Sequence, residues 1–269
     1  MPRPLFWKET ETNRTPQYYM QYGICHLSII PVRSAGGVIS EMTTQLLYGE
    51  HYKVLEQRKH WSKIRIAFDG CEGWIDNNQI NLIEKESYLD LENEKERDHS
   101  SQLISYIEDE NKHFIPILLG STVPDKNLLG HQFEGELFKR TSDKNNLINT
   151  ALFYLNAPSL SGGRSPFGID NSGLSQMVYK MKGIALKRTS QEQALQGDAL
   201  SFIEESEPGD LAFFDDSDGV IDHVGIIMRD NYIIHVNGKV KINRIDHTGI
   251  FDSKTNAYTH KLRVIKKII

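Results

Sequence analysis

The chain has 269 residues, of which 39% are hydrophobic and 25% are charged, as in an ordinary folded protein of one to three domains. The 31 basic and 36 acidic residues give a net charge of −5, so the composition does not favour nucleic acid or an anionic membrane surface as a partner. No apolar run approaches the roughly 18 residues of a membrane-spanning helix, so we expect no membrane span.

The N-terminal residues MPRPLFWKETETNRTPQYY lack the basic-then-apolar profile of a secretory signal. The sequence as written therefore predicts a cytoplasmic protein, with export and removal of a leader as the alternative. Cys25 and Cys71 form no spaced motif, and we expect two free, buried thiols in a reducing compartment.

The first predicted unit is a small antiparallel β domain between Tyr22 and Ile83. The segment CHLSIIPVRS is apolar and β-branched until Pro31 and a Gly-Gly turn interrupt it. HYKVLEQRKHWSKIRIAF gives two strands separated by a charged turn, and DGCEGWI adds a tight turn and a short strand. Five short strands in about 60 residues favour a small barrel over a sandwich.

Charge dominates the next segment, EKESYLDLENEKERD, which predicts a solvated helix or a linker. The segments HFIPILLGSTVPDKNLL and HQFEGELFK then predict a second, shorter β unit, with turns at Pro124 and Gly135.

The hydrophobic pattern takes on the helical period after Lys144. In NNLINTALFYLNAP, which Pro158 ends, one apolar stripe has helical spacing: Leu147, Ile148, Ala151, Leu152 and Leu155. The segment PFGIDNSGLSQMVYKMKG predicts a helix that Gly183 closes, with its own stripe of Leu174, Met177, Val178 and Met181. A short helix, SQEQALQG, and five strands follow: DLAFFDD, HVGIIMR, NYIIHV, KVKINRI and KLRVIKKI. Helices followed by an antiparallel meander predict an α+β fold.

Two features of this half could support chemistry. Asp170, Asn171 and Ser172 lie at a predicted helix N-terminus, where backbone N–H groups and the helix dipole favour negative charge. His223 and His235 are 235 − 223 = 12 residues apart on consecutive predicted strands, so a hairpin can bring their imidazoles together. One could then act as a base that the other orients.

Other uses of these histidines remain open at this stage. Histidines at strand ends are commonly surface or structurally satisfied residues. A metal site could also use His223 and His235 with Asp222, but the sequence offers no third ligand at convincing spacing. We therefore expect neither a metal nor a cofactor.

Several segments resemble a known family. GGRSPFGIDNSGL, EPGDLAFF, DHVGII and IIHVNGKVKI are similar to segments of the NlpC/P60 cysteine peptidases. YGICHLSIIPVRS, EMTTQLLYGEHYKVLE and GWI resemble the bacterial SH3 domain that precedes the catalytic domain in γ-D-glutamyl-L-diamino acid endopeptidases. The resemblance covers most of residues 20–252 and implies a papain-like core preceded by two small SH3-like β-barrels. It divides the chain into an N-terminal segment with the first SH3-like domain (1–83), a linker with the second (84–141) and the NlpC/P60 domain (142–269).

The resemblance also assigns roles to residues. Members cleave the γ-D-Glu–diamino acid bond of murein peptides, so the implied partner is a murein-derived peptide with a free N-terminal L-Ala, recognised between the SH3 and catalytic domains. The family's triad falls on Asn171 for the nucleophilic cysteine, His223 for the base and His235 for the orienting residue. The positions that contact substrate fall on Asp170, which would pair with the free amine, Ser172 and Ser190.

The chain departs from the family pattern at four places. Asp-Asn-Ser replaces Asp-Cys-Ser at the nucleophile, and Ser159 and Ser161 replace the tyrosine and tryptophan of Tyr-x-Trp-Gly-Gly. Cys71 replaces a tyrosine that would reach the substrate amine, and Thr189 replaces an aspartate. Losing two aromatic rings, each of about 150–250 Å², predicts a wider and wetter cleft.

Asparagine cannot form a thiolate, so we expect the family's covalent mechanism to be lost. Ser172 is a poor substitute because its side chain leaves the helix about 100° away from that of Asn171. The sequence thus predicts an inactive hydrolase scaffold, with three alternatives: an active peptidase with another nucleophile, a muropeptide-binding protein, or a scaffold that acts through its SH3-like surfaces. A deliberate alteration of several sites would give the same pattern, and the oligomeric state is left open.

Overall fold

The structure is a computed structural model that describes residues 20–94, 96–124, 128–138 and 145–269. The N-terminal stretch that lacks a secretory-signal profile lies outside these residues. Among the helices of the described ranges, none has the length and apolar character needed to cross a membrane.

An antiparallel sheet of seven strands forms the first unit, in the order β3-β2-β6-β5-β4-β1-β7. Strands β1 to β7 are Gln21–Ile24, Ile29–Arg33, Met42–Leu47, His51–Gln57, Trp61–Ile66, Glu72–Asp76 and Leu82–Ile83. The apolar residues of alternate strand positions meet in its core, among them Ile30, Val32, Tyr52, Ile64 and Ile75. The prediction of a small β domain here is confirmed.

The charged segment after this sheet forms helix α1, Lys85–Asn93, which buries Tyr88 and Leu91. A second β unit follows, with strands β8 to β12 at Asp98–His99, Ile104–Glu108, Phe114–Leu118, Thr122–Val123 and Gln132–Glu134. They form a three-stranded sheet, β10-β9-β12, and a two-stranded one, β11-β8. That this unit is a second SH3-like domain stays a prediction.

Three helices open the C-terminal half: α2 (Asn145–Leu152), α3 (Asn171–Lys180) and α4 (Ser190–Gln193). The predicted stripe of α3 is confirmed, since Leu174, Met177, Val178 and Met181 are all buried. The predicted end of α2 at Pro158 is wrong, because the helix stops at Leu152. Leu152 and Leu155 are therefore about 40% exposed, and Tyr154 takes the buried position instead.

The C-terminal half ends in a closed β-barrel. After the short hairpin β13–β14 (Arg164–Ser165 and Gly168–Ile169), strands β15 to β21 are Asp198–Leu200, Leu211–Asp215, Ile221–Met228, Tyr232–Asn237, Lys239–Ile245, Gly249–Asp252 and Ala257–Lys267. Their order is β15-β21-β16-β17-β18-β19-β20, and the pairing of β20 with β21 closes a six-stranded barrel. The predicted α+β class is confirmed, although strands β15 and β20 of the sheet were missed.

Side-chain alternation divides the barrel strands between two cores. On β17, Val224 and Ile226 pack with the helices, whereas His223 shares the opposite face with Ile227 of the barrel core. On β18, His235 likewise shares its face with Ile233. Both histidines thus project from the barrel-core face of adjacent strands.

Candidate active site

Asp170 fixes the start of helix α3. Its side chain is the N-cap and accepts a hydrogen bond from the Gly173 backbone N–H at 2.7 Å, an interaction worth about 1 kcal/mol. A side chain at Gly173 would meet the Gly163 carbonyl oxygen at 2.4 Å, so the sequence Asp-Asn-Ser-Gly suits this tight helix entry. The first helical residue is Asn171, at the mouth of α3.

The carboxylate of Asp170 is already engaged by several donors. Besides Gly173, the Gly162 N–H donates to it at 2.8 Å, and Arg188 donates through two nitrogens at 2.6 and 3.0 Å. The Ser172 hydroxyl adds a longer contact of 3.4 Å. Because a carboxylate offers about four acceptor positions, a peptide ammonium would have to displace or share one of these donors.

His223, His235 and Asn243 form a hydrogen-bonded relay across three adjacent strands. His223 Nε2 lies 2.9 Å from His235 Nδ1, and His235 Nε2 lies 3.1 Å from the Asn243 amide oxygen. That oxygen can only accept, so His235 carries its proton on Nε2 and accepts the Nε2–H of His223 on Nδ1. The lone pair of His223 is then on Nδ1, which is the form that a general base requires.

Burial keeps this relay neutral. It lowers the pKa of His223 well below its usual value, and the neighbouring His260 and His235 lower that pKa further. Burial also lowers the pKa of His235 to about 4, despite the opposing hydrogen bond to Asn243. At neutral pH, both imidazoles are therefore uncharged, and the free lone pair is the one on His223 Nδ1.

Asn171 lies where the relay meets the helix. Its amide nitrogen donates to the backbone carbonyl of Asp222 at 3.2 Å, and Asp222 directly precedes His223. The residue thus bridges the mouth of α3 and strand β17. Its amide is neither a nucleophile nor a base at neutral pH, so the relay has no reactive partner at this position.

Two other side chains could be considered as nucleophiles. The Ser172 hydroxyl is buried and bonded to Arg188 at 3.0 Å, in addition to its contact with Asp170. Burial, with a further contribution from Asp69, raises the pKa of the Cys71 thiol to about 11, so this thiol is protonated at neutral pH. Neither side chain has the partner that would activate it.

The remaining predicted residues lie around the mouth of α3. Ser190 is buried at the first position of α4. Thr189 caps this helix and forms a capping box with Glu192. Ser159 and Ser161 are exposed in the loop before β13, and the Ser159 N–H donates to the Gly238 carbonyl at 3.1 Å.

A third imidazole, that of His260 on β21, stacks on His223 with ring centroids 3.9 Å apart and planes inclined by 27°. Burial lowers its pKa, as it does for the other two. The sequence did not indicate His260, because no spacing along the chain shows which strand closes the barrel. Asn243 was overlooked although it follows His235 by only eight residues on the next strand.

Comparisons with known proteins identify the domains. The profile of the NlpC/P60 family matches residues 158–259, which contain α3, α4 and the barrel strands with both relay histidines. The C-terminal part of this chain is an NlpC/P60 domain. The profile described as the bacterial dipeptidyl-peptidase SH3 domain matches residues 32–80, within the seven-stranded sheet.

Curated relatives match this chain over most of its length. A gamma-D-glutamyl-L-lysine dipeptidyl-peptidase of Bacillus cereus is 27% identical over 231 residues, which are 73% of this chain and 67% of the relative. Its namesake from Bacillus subtilis is 26% identical over 215 residues, 71% of each chain. The crystal structure of an NlpC/P60 family protein from Bacillus cereus has a TM-score of 0.73, covers 92% of this chain and 99% of its own, and is 18% identical, so it shows a shared fold.

The SH3 domain contacts the NlpC/P60 domain beside the candidate site. Thr44 of β3 accepts a hydrogen bond from Arg188 Nε at 2.9 Å, and Arg188 in turn holds Asp170. Asp69, two residues from Cys71, accepts a hydrogen bond from Gln176 of α3 at 2.9 Å. The SH3 domain therefore supports one side of the helix mouth.

A buried ionic junction reinforces the same interface. Glu50 of the SH3 domain accepts two hydrogen bonds from Arg164, at 2.8 and 2.9 Å, and one from Lys180 at 2.6 Å. All three side chains are at most 3% exposed. Burial raises the pKa of Glu50, but Arg164 and Lys180 outweigh it and hold that pKa well below the usual value. Burial lowers the pKa of Lys180 to about 8.

Proposed function

We propose that this NlpC/P60 chain binds murein-derived peptides and does not hydrolyse them by the thiol mechanism of the family. The observation that carries the proposal is the Asn171 amide, which donates to the Asp222 carbonyl at the entrance to an otherwise complete histidine relay. The two Bacillus relatives, named as gamma-D-glutamyl-L-lysine dipeptidyl-peptidases, supply the substrate class.

The missing step is the formation of the covalent intermediate. In a cysteine peptidase, a base removes the thiol proton and the thiolate attacks the scissile carbonyl. His223 has its Nδ1 lone pair available for that proton, but the side chain of Asn171 has no thiol to give it. The buried relay is thus a base without a nucleophile.

Features that could hold a peptide remain at the same place. The N–H groups at the start of α3 and its dipole favour a carbonyl or carboxylate. The exposed Ser159 and Ser161, in the loop before β13, offer hydroxyl groups. A free amine would compete with Arg188 for Asp170, so we expect weaker amine recognition than an unpaired carboxylate would give.

Titration calorimetry and mass spectrometry on the same sample test the proposal. The ligand is the synthetic peptide L-Ala-γ-D-Glu-L-Lys, and the variants are Asn171→Cys and, as a matched control, Asn171→Ala. We expect the natural chain and Asn171→Ala to bind the peptide and leave it intact, whereas Asn171→Cys binds it and releases L-Lys. Absence of binding to the natural chain would contradict the proposed ligand, and release of L-Lys by it would contradict the proposed inactivity.

A further inference from the structure

His223, His235 and His260 form a cluster that the proton relay only partly uses. One ring nitrogen of each histidine lies within 4.8 Å of the corresponding nitrogens of the other two. Two of the rings are buried and the third, His260, is half-buried, so the cluster reaches the surface at His260. We propose that these three imidazoles form a binding site for Zn²⁺.

The donor set suits this ion. Neutral imidazole is a common ligand of zinc, and three histidines with open positions make a known type of zinc coordination. The three rings come from strands β17, β18 and β21 of a closed barrel, so the backbone already holds them near one another. Hard cations such as Mg²⁺ prefer oxygen ligands and should not bind here.

Completing the geometry needs ring rotations as well as shifts. With Zn–N bonds of about 2.0–2.1 Å, two nitrogens of a tetrahedral site lie about 3.4 Å apart. His223 Nε2 and His235 Nδ1 are 2.9 Å apart, so they must separate slightly and tilt. The His260 nitrogen must move inward, by at most about 1.4 Å from the 4.8 Å limit. His260 must also turn out of its stack on His223, because the lone pairs of two rings inclined by only 27° cannot both point to one ion. As the half-buried member of the cluster, His260 is the ring with the most freedom to turn.

Protons can rearrange without leaving the site. His235 keeps its Nε2–H bonded to Asn243, so its Nδ1 lone pair is available, and Asn243 acts as an outer partner that orients the ligand. The His223 proton moves from Nε2 to Nδ1, which frees Nε2 for the ion. On His260, Thr259 Oγ1 lies 2.8 Å from Nδ1, so Nε2 is the nitrogen left for coordination.

Charged neighbours act on the cluster from several strands. The negative charge of Asp222 raises the pKa of His260, and that of Asp252 raises the pKa of His235. Both carboxylates therefore favour a cation at the cluster. The positive charge of Lys241 lowers the pKa of all three histidines and so opposes a cation. Its ammonium forms an ion pair with Asp252 at 2.9 Å, which offsets this charge.

Zinc binding and general-base chemistry exclude each other at this site. With the ion bound, the proton of His223 is on Nδ1, the nitrogen that a cysteine peptidase would need free. A chain with Asn171 at the nucleophile position has no thiol chemistry to lose when the ion binds. The proposal concerns the histidines alone and does not depend on peptide binding.

Calorimetric titration of the chelator-treated full chain with ZnCl₂ tests the site. We expect one Zn²⁺ per chain and no heat from MgCl₂. His260→Gln should weaken zinc binding by at least about tenfold, because the loss of even an outer-sphere partner costs about 10–100-fold. The matched control is His247→Gln, which removes an exposed histidine of the same domain and should leave the affinity unchanged. No zinc binding by the natural chain, or equal affinity in His260→Gln, would overturn the proposal.

A second measurement needs no variant and so does not depend on the folding of His260→Gln. Diethyl pyrocarbonate modifies accessible imidazoles, and mass spectrometry locates the modified residues. We expect Zn²⁺ to protect His260 from modification while His247 reacts equally with and without the ion. Equal modification of His260 in both conditions would count against zinc coordination.

Discussion

Two buried polar clusters in this molecule differ in charge and in what they can do. The ionic junction of Glu50, Arg164 and Lys180 is charged, and every partner is close enough for a direct hydrogen bond. The relay of His223 and His235 with Asn243 is neutral, and one imidazole lone pair is left free. The first arrangement stabilises a domain interface, whereas the second can accept a proton or an ion. Both clusters are buried, so burial does not distinguish them; the free lone pair of His223 is what allows the relay to bind a proton or an ion.

The largest expected effect comes from removing the base in a chain with a restored nucleophile. We expect Asn171→Cys combined with His223→Gln to cleave L-Ala-γ-D-Glu-L-Lys about 10²–10⁴-fold more slowly than Asn171→Cys alone, because general-base catalysis contributes roughly that factor. Initial rates of L-Lys release measure it. Asn171→Cys with His247→Gln is the control and should keep its rate; equal rates in all three variants would show that the relay does not act as the base.

Breaking the ionic junction should cost stability instead. Glu50→Ala leaves Arg164 and Lys180 buried without their carboxylate, and we expect a loss of about 3–5 kcal/mol in the free energy of unfolding. Urea denaturation measures it. Glu72→Ala is the comparison, since Glu72 bridges Lys63 and Arg65 at the surface and should change little. A similar, small effect of both substitutions would mean that the junction does not hold the interface.

Acid should affect the two clusters in different pH windows. Histidines in the unfolded chain take up a proton near pH 6.5, whereas burial lowers the pKa of His235 in the folded chain to about 4. Acid between these values therefore favours the unfolded chain. The free energy of unfolding is unaffected by His235 above pH 6.5 and falls between pH 6.5 and 4. A shift of this size corresponds to roughly 3 kcal/mol. The pKa of Glu50 is held below its usual 4.5, so the contribution of the junction is lost only below about pH 4.5.

Urea denaturation between pH 8 and 3.5, in buffer with a chelator, separates these windows. His235→Gln should flatten the stability curve between pH 6.5 and 4, and Glu50→Gln should flatten it below 4.5. If His235→Gln kept the slope of the natural chain in the upper window, the assignment of that window to the relay would be wrong.

The smallest expected effect is at the contact that joins the SH3 domain to the candidate site. Thr44→Val removes the acceptor of Arg188 Nε and leaves a buried donor unsatisfied, at a cost of about 1–3 kcal/mol. Thr43→Val is the matched control, because the Thr43 hydroxyl bonds only within its own sheet. Thermal unfolding of both variants measures the difference, and an equal effect would remove the special role of Thr44.

Local patterns in the sequence predicted much of the fold. The apolar spacing of α3 follows from the helical period, and β16 to β19 were predicted as strands. The pairing of His223 with His235 follows from their places on consecutive strands. The end of α2 could not be predicted in this way, because Leu155 continues the helical pattern three residues after the helix has ended at Leu152.

Most of the residues that complete the ionic junction and the histidine cluster could not be predicted, because they meet through distant parts of the chain. Glu50 and Lys180 are 130 residues apart, and Arg188 reaches Thr44 across 144. Asn243 is the exception, since it lies eight residues from His235 on the next strand of a hairpin, and this local signal was overlooked. His260, by contrast, meets His223 only through the closure of the barrel by β21. Such contacts depend on the tertiary fold and leave no periodic signal in the sequence.

The most direct test of the account is a long incubation of the natural chain with L-Ala-γ-D-Glu-L-Lys, followed by mass spectrometry of both the bound and the free peptide. The account predicts that the intact tripeptide is recovered in the bound fraction and that no L-Lys is released, since Asn171 gives the His223 relay no thiol to activate. Release of L-Lys by the natural chain, above the level of His223→Gln, would contradict it.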